Sequence, residues 1–235
     1  MRERSETLAP ATVARRLAAV VDAHARAGHP SPRDHAEVRD ALASIEWRHR
    51  ARRRPTVPLD AESLSRMSLG LPATMTGTRD RALLLIGYGA ALRRTELVAL
   101  DVDDVALDRH GVLRLHTARG VLAIPPGSQP HLGAGRAWTR WLARSGLRDG
   151  PLFRPVDRHG NVGTTRLSDR AVTTVVQRAA TGAGLAADYS GRSLRLGMVL
   201  TAAAAGASDE GIIGQTGHRS VRLVREYRRR KGSEA

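Results

Sequence analysis

The apolar run Leu83 to Ile86 lies at the centre of RDRALLLIGYGAAL, a segment whose length and residue types predict a helix. A helix with no polar face at its middle must be covered on most sides, so the remaining elements have to be arranged around it. Thr78 is the expected N-cap. What can cover this helix follows from composition. With only 3% aromatic residues, the core has to be Leu, Val, Ile and Ala, which suits helices better than a β-sandwich. A chain of 235 residues that is 41% hydrophobic can bury one good core, in one or two domains.

Toward the N-terminus, Val13, Leu17 and Val20 form one helical stripe from Pro10 to Ala27, stopped by Gly28. Val38, Leu42 and Ile45 form a second, running to about Arg48. Two such helices cannot make a stable core alone. Residues 49–58, HRARRRPTVP, combine a charge run with two prolines and read as a linker. This divides the chain into residues 1–57 and 58–235. The bland reading of the run is a solvated tether; the functional one is a basic strap on a phosphate backbone, carried by Arg53 and Arg54.

Beyond the linker, Asp60 is the expected cap of AESLSRMSL. Val102 to Leu107, Val112 to Thr117 and Val121 to Ile124 read as short strands with turns at 108–111 and 118–120, a small antiparallel sheet at most. Trp138, Trp141 and Leu142 share a helix face and read as core rather than as stacking platforms for bases. Ser168 caps SDRAVTTVVQRAATGAG, and Arg166 and Arg170 lie near that helix start, where a side chain can enter a nucleic-acid groove.

A net charge of +15 and a pI near 11.6 point toward a polyanionic partner. All but one of the 38 Lys and Arg residues are arginine, so charge alone does not separate nucleic-acid binding from the Arg- and Ala-rich composition of a GC-rich genome. The absence of cysteine excludes a disulfide framework, Cys-ligated zinc and a thiol nucleophile. The first residues lack an apolar h-region, and the run 196–207 is too short and Gly-interrupted to span a bilayer. The expectation is a cytoplasmic protein with no membrane partner.

The chemistry concentrates between Tyr189 and Tyr227. Arg192 and Arg195 are three residues apart, and so neighbours on a helix; His218 and Tyr227 follow downstream. Ser208 is the expected cap of a short helix ending at Thr216-Gly217, and Ser220 that of a terminal helix bearing Tyr227. Singly, a Tyr on a helix edge is a packed residue and a Gly-His a turn. Together with ALRRTELVAL upstream, they form the pattern of another kind of protein. The chain resembles the tyrosine recombinases, or phage integrases, over about residues 10 to 230.

ALRRTELVAL resembles the first box of that family, which makes Arg93 the first catalytic arginine and Glu96 its structural neighbour. RSLR resembles the second box, giving Arg195. TGHRS with Tyr227 resembles the third box and the nucleophile, and LSDRAV the helix laid in the DNA major groove, which would make Arg170 a base or phosphate contact. The resemblance implies a mainly α fold with a small antiparallel β-sheet (α+β), preceded by a partial helical DNA-clamping domain. It implies double-stranded DNA as partner, self-association on DNA during synapsis, and cleavage and rejoining through a 3′-phosphotyrosyl link, with no cofactor and no metal. Two guanidinium forks suit the charge gained by the equatorial oxygens of a phosphodiester under attack.

Three departures stand out. The hairpin where the family carries a lysine reads HTARGVLAIP, with Arg119 in the turn, and Lys231 is the only lysine of the chain. An arginine can stabilise charge but serves poorly as a general acid. Arg192 replaces the histidine of the second box, and His116, a strand residue, is the nearest substitute. Only two helices precede the linker, fewer than the family's clamp, so either the start is truncated or the clamp is incomplete. The alternative reading is therefore a catalytically weak or inactive integrase-like DNA-binding protein; a simple helix-turn-helix repressor would not account for Arg93, His218 and Tyr227 together.

Overall fold

The computed structural model of the chain describes residues 8–52, 56–127, 129–185 and 188–217. It divides into two compact units, residues 1–55 and 56–235.

The first unit is a helical hairpin of α1 (Pro10–Arg26) and α2 (Ala36–Arg52). Gly28, at φ +71°, ends α1 in the left-handed conformation that only glycine adopts without strain. Ser31 then accepts a hydrogen bond from the Arg33 amide in the connecting turn. No residue of α1 is buried. The charge run expected to open the linker is instead helical as far as Arg52, because Arg and Ala are good helix formers. Arg53 and Arg54 lie outside the described residues.

The second unit is built on α4. Its helix α3 (Ala61–Gly70) starts at Asp60, whose carboxylate accepts from the Ser63 amide at 2.7 Å. Helix α4 (Met75–Gly89) begins one turn before the expected cap: Thr74, not Thr78, accepts from the Gly77 amide. Thr78 is buried, donates to the Thr74 carbonyl and accepts from Arg144, a contact no local pattern reveals. Leu83, Leu84 and Ile86 are fully buried, as an all-apolar centre requires.

Helix α5 (Arg94–Ala99) follows a sharp turn, and the sheet comes next as β1 (Val105–Leu107), β2 (Leu113–Thr117) and β3 (Gly120–Ile124). The strands pair antiparallel in the order β1-β2-β3, with Val105 opposite Leu115 and Leu113 opposite Ile124. The first strand is shorter than expected. Val102–Asp104 forms a 3-10 turn, because the Asp104 carboxylate captures the Asp101 amide and draws the chain out of the ladder. The tetrapeptide Asp-Arg-His-Gly occurs at 108–111 and again at 157–160, and folds the same way twice. Each Asp accepts from the amides two and four residues on, and each glycine takes positive φ.

Helix α6 (Ala134–Ser145) buries Trp141 completely, with its indole N–H donating to the Leu152 carbonyl at 2.9 Å, while Trp138 is half-buried. Helices α7 (Asp169–Gly182), α8 (Gly191–Ala204) and α9 (Asp209–Thr216) complete the unit. Ser168 and Ser208 cap α7 and α9 as expected, and Gly217 ends α9 at φ +62°. The strongest packing is of α4 on α6 and α8, so the helix singled out by its sequence stands at the centre. The expected fold class holds: mostly helical, with one small antiparallel sheet. None of the described helices is long and apolar enough to cross a membrane.

Candidate active site

Two backbone features bring the second-box arginine to the first. The chain leaves α4 through Ala91, a non-glycine residue at φ +48°, a conformation that costs about 1 kcal/mol or more and persists where the surroundings enforce it. Its carbonyl accepts from Arg195 Nη1 at 2.7 Å. Arg195 is buried on α8, only 8% exposed, so its guanidinium is held against the turn that presents Arg93 at the N-cap of α5. Leu92, Arg93, Arg94, Thr173, Arg192 and Arg195 line one cavity of about 640 Å³.

The charges in that cavity are of one sign. Arg93 and Arg94 have carboxylate partners, Glu96 at 2.5 Å and Asp169 at 3.0 Å, and both side chains remain about half exposed. A cleft with converging guanidiniums raises the local concentration of anions and is relieved by binding one. Arg94 and Thr173 were not singled out in the sequence. Arg94 follows the motif arginine and carries no signal of its own, and Thr173 reaches the cleft only because α7 packs beside α5.

Glu96 organises the other side. One of its oxygens takes the Arg93 guanidinium; the second accepts the Arg93 amide at 2.8 Å and Arg119 Nη2 at 3.0 Å. Burial pushes its carboxyl up, but the hydrogen bonds from Arg93 and the charges of Arg119 and Arg93 outweigh this and hold it below the usual glutamate range. The stability this contributes is fully present above the ordinary glutamate pKa of about 4.3 and is lost as pH falls through the lower folded value. Glu96→Gln is therefore expected to lower stability by about 1–2 kcal/mol at pH 7, a charged hydrogen-bond loss discounted for the half-exposed Arg93. The gap from wild type should shrink as pH drops below 4.3. Urea unfolding at a series of pH values reads it; a gap that does not change with pH would contradict this role for the carboxylate.

Arg119 reaches from the β2–β3 turn to the Gln215 carbonyl at 2.9 Å as well as to Glu96. His116 is exposed and lines a separate cleft with Glu96 and Arg119. Arg192 is exposed at the mouth of the main cavity, on the same face of α8 as Arg195. Arg170 is exposed on the first turn of α7. Arg166 is engaged within the fold: it donates to the carbonyls of Val98 and Leu100 and to Asp101 at 2.6 Å. That clamp holds the end of α5. His218 and Tyr227 lie outside the described residues, as do Arg53 and Arg54.

The domain is mainly helical with one three-stranded sheet, and its arginine-lined cleft, between the turn into α5, α7 and α8, has the charge and the donors to suit a phosphate-like anion. The family model for the phage integrase family matches residues 59–234. An integrase/recombinase xerD homolog from Selenomonas ruminantium is 32% identical over 229 residues, covering 92% of this chain and 67% of that protein. Tyrosine recombinase XerC from Azotobacter vinelandii is 40% identical over 103 residues, 43% of this chain and 31% of that protein. Among solved structures, the Tn1549 transposon integrase in complex with circular intermediate DNA superposes with a TM-score of 0.66 at 16% identity, covering 96% of this chain and 77% of that one. The XerA recombinase gives 0.57 at 19%, covering 74% of this chain and 60% of that one. The chain belongs to the phage integrase family of tyrosine recombinases.

Proposed function

We propose that the chain is a site-specific DNA recombinase or integrase that cuts and rejoins double-stranded DNA through Tyr227. The observation that carries this reading is the convergence of Arg93 and Arg195 through the 2.7 Å bond of Arg195 to Ala91, in a cleft that Arg94 and Arg192 also line. In the proposed reaction the Tyr227 phenol gives up its proton as its oxygen attacks phosphorus, the bond from phosphorus to the 5′ oxygen breaks, and that oxygen takes up a proton and leaves as a hydroxyl, so the step is balanced in protons. Arg93 and Arg195 hold the non-bridging oxygens as charge builds on them. Attack by a 5′-hydroxyl on the phosphotyrosine reverses the step, so no cofactor is consumed. His218 donates to the same phosphate or orients the phenol.

The other tyrosines are poor candidates. Burial pushes the Tyr88 phenol up, although its 2.7 Å hydrogen bond to Thr201 acts the other way, and Tyr189 is packed into the core. Duplex DNA as partner is supported by the net charge of +15 and by relatives in the same fold that were solved on DNA, including XerH on its difH substrate and a lambda integrase dimer on a core site. Self-association during synapsis belongs to the same reading.

The second reading is DNA binding with little or no catalysis. It is favoured by Arg119, whose guanidinium is occupied by Gln215 and Glu96 at the position where the family carries its proton-donating lysine. General acid-base help is typically worth about 10²–10⁴-fold, so its loss slows the reaction without weakening DNA binding. Incubation with nicked suicide duplexes taken from the DNA flanking the coding sequence separates the two. The expected result is a covalent protein–DNA adduct that disappears in Tyr227→Phe. Retarded DNA with no adduct selects the second reading.

A further inference from the structure

We propose that Arg119 is a positioning residue, which locks the end of α9 onto the Arg93–Glu96 pair, and does not act as a proton donor to the leaving oxygen. The proposal rests on the recombinase reading for its catalytic consequence and on geometry alone for the lock. Three elements meet at this one side chain. It starts in the β2–β3 turn, its Nη2 donates to Glu96 Oε2 at 3.0 Å, and its Nη1 donates to the Gln215 carbonyl at 2.9 Å. Only a sixth of the side chain is exposed, and its Nε is buried with no hydrogen-bond partner among the described residues. Arg93 Nη2 meets the same helix end, at 3.4 Å from the Gly217 carbonyl.

The residue facing Arg119 is fitted to it. Gly217 takes φ +62°, and a Cβ there would fall 2.5 Å from Arg119 Cδ, so the guanidinium stem lies in the space a side chain would occupy. His218 is the next residue in the chain. The lock therefore fixes the point from which that imidazole departs, and does so through the carboxylate that also orients Arg93. A planar fork sends one nitrogen to the carbonyl and another to the carboxylate; a lysine ammonium has three donors but only one nitrogen to place, and so does not reproduce this two-nitrogen bridge. At this position, then, lysine is not a conservative replacement and does not restore the family's chemistry.

The test compares full-length wild type, Arg119→Lys and Arg119→Ala in two measurements. The first is amide hydrogen exchange at Thr216 and Gly217. Both variants are expected to exchange there roughly tenfold faster or more, the loss of a charge-assisted hydrogen bond, with the amides of α4 unchanged. The second is single-turnover adduct formation on the nicked duplexes, with DNA affinity measured in parallel. Cleavage should fall about tenfold or more in both variants, on ordinary duplexes and equally on duplexes with a 5′-bridging sulfur, whose leaving group needs no proton; affinity should hold. Recovery on the sulfur substrate, or wild-type cleavage by Arg119→Lys, would place Arg119 at the leaving oxygen and overturn the proposal. Unchanged exchange in both variants would overturn the lock itself. A wild type that forms no adduct on either duplex defeats the recombinase reading, while the exchange measurement still decides the lock.

Discussion

Replacing Gly197 with alanine is expected to remove most of the stability of the second unit. A Cβ at Gly197 would lie 1.7 Å from the Leu59 carbonyl oxygen and 2.6 Å from its carbon, so the clash is with backbone and no rotamer change can relieve it. Nor can the backbone yield cheaply, because the Leu59 amide donates to the Ser193 carbonyl one turn earlier on α8. Ordinary overpacking costs about 1–3 kcal/mol. Here the collision is between main chains, and the loss should reach about 4 kcal/mol or more, the range reserved for specific structural failures. Gly182→Ala is the control. Nothing lies within 4 Å of its Cβ position at the end of α7, so alanine should be neutral or gain up to about 1 kcal/mol. Urea unfolding of the two variants reads the contrast. An alanine at 197 with the wild-type midpoint would mean that α8 does not ride on residue 59 in solution. Function follows the same contact, since a shift of α8 carries Arg195 away from the Ala91 carbonyl.

The parts of this structure that local chemistry decides were legible in the sequence. Asp60, Ser168 and Ser208 each place an acceptor three residues before an amide that needs one, and each forms its cap. The apolar centre of α4 announced its burial. What failed was decided at a distance. Thr74 and Thr78 both satisfy the local rule for a cap; the packing of Gly77 against Pro72 and the reach of Arg144 from α6 settle the choice. Arg93 and Arg195, singled out through a motif and not through spacing, line one cavity, and the bond that unites their segments joins residues more than a hundred positions apart. Arg166 shows the converse. Its place before α7 suggested a groove contact, and nothing local announced that its donors hold the carbonyls that end α5. Glu96 was readable as a neighbour of Arg93, but its grip on Arg119 depends on how the hairpin folds over α5.

Asp80→Asn should be the most damaging polar substitution in the domain. Asp80 is 1% exposed and accepts from Arg79 Nε at 2.9 Å and Nη2 at 2.6 Å, while its other oxygen pairs with Arg178 of α7. Arg79 is itself buried, with one further bond to the Arg154 carbonyl at 3.2 Å. An amide in place of the carboxylate leaves a buried guanidinium without its counter-charge and turns an N–H toward a second cation. Removal of one member of a buried pair costs about 3–5 kcal/mol, because the survivor keeps its desolvation without its partner. Arg178→Ala tests the explanation from the other side. That side chain is 53% exposed, so its loss removes one partner and strands no buried charge, and the effect should stay below about 1 kcal/mol. Equal losses from the two substitutions would mean that Asp80 acts as a tie between α4 and α7 and not as the counter-ion of Arg79. The distinction bears on function, because α4 leads into the turn that presents Arg93, and α7 carries Arg170 on its first turn. On the counter-ion account, Arg178→Ala leaves both helices in place and DNA retardation unchanged, while Asp80→Asn loses the fold and the cleft together.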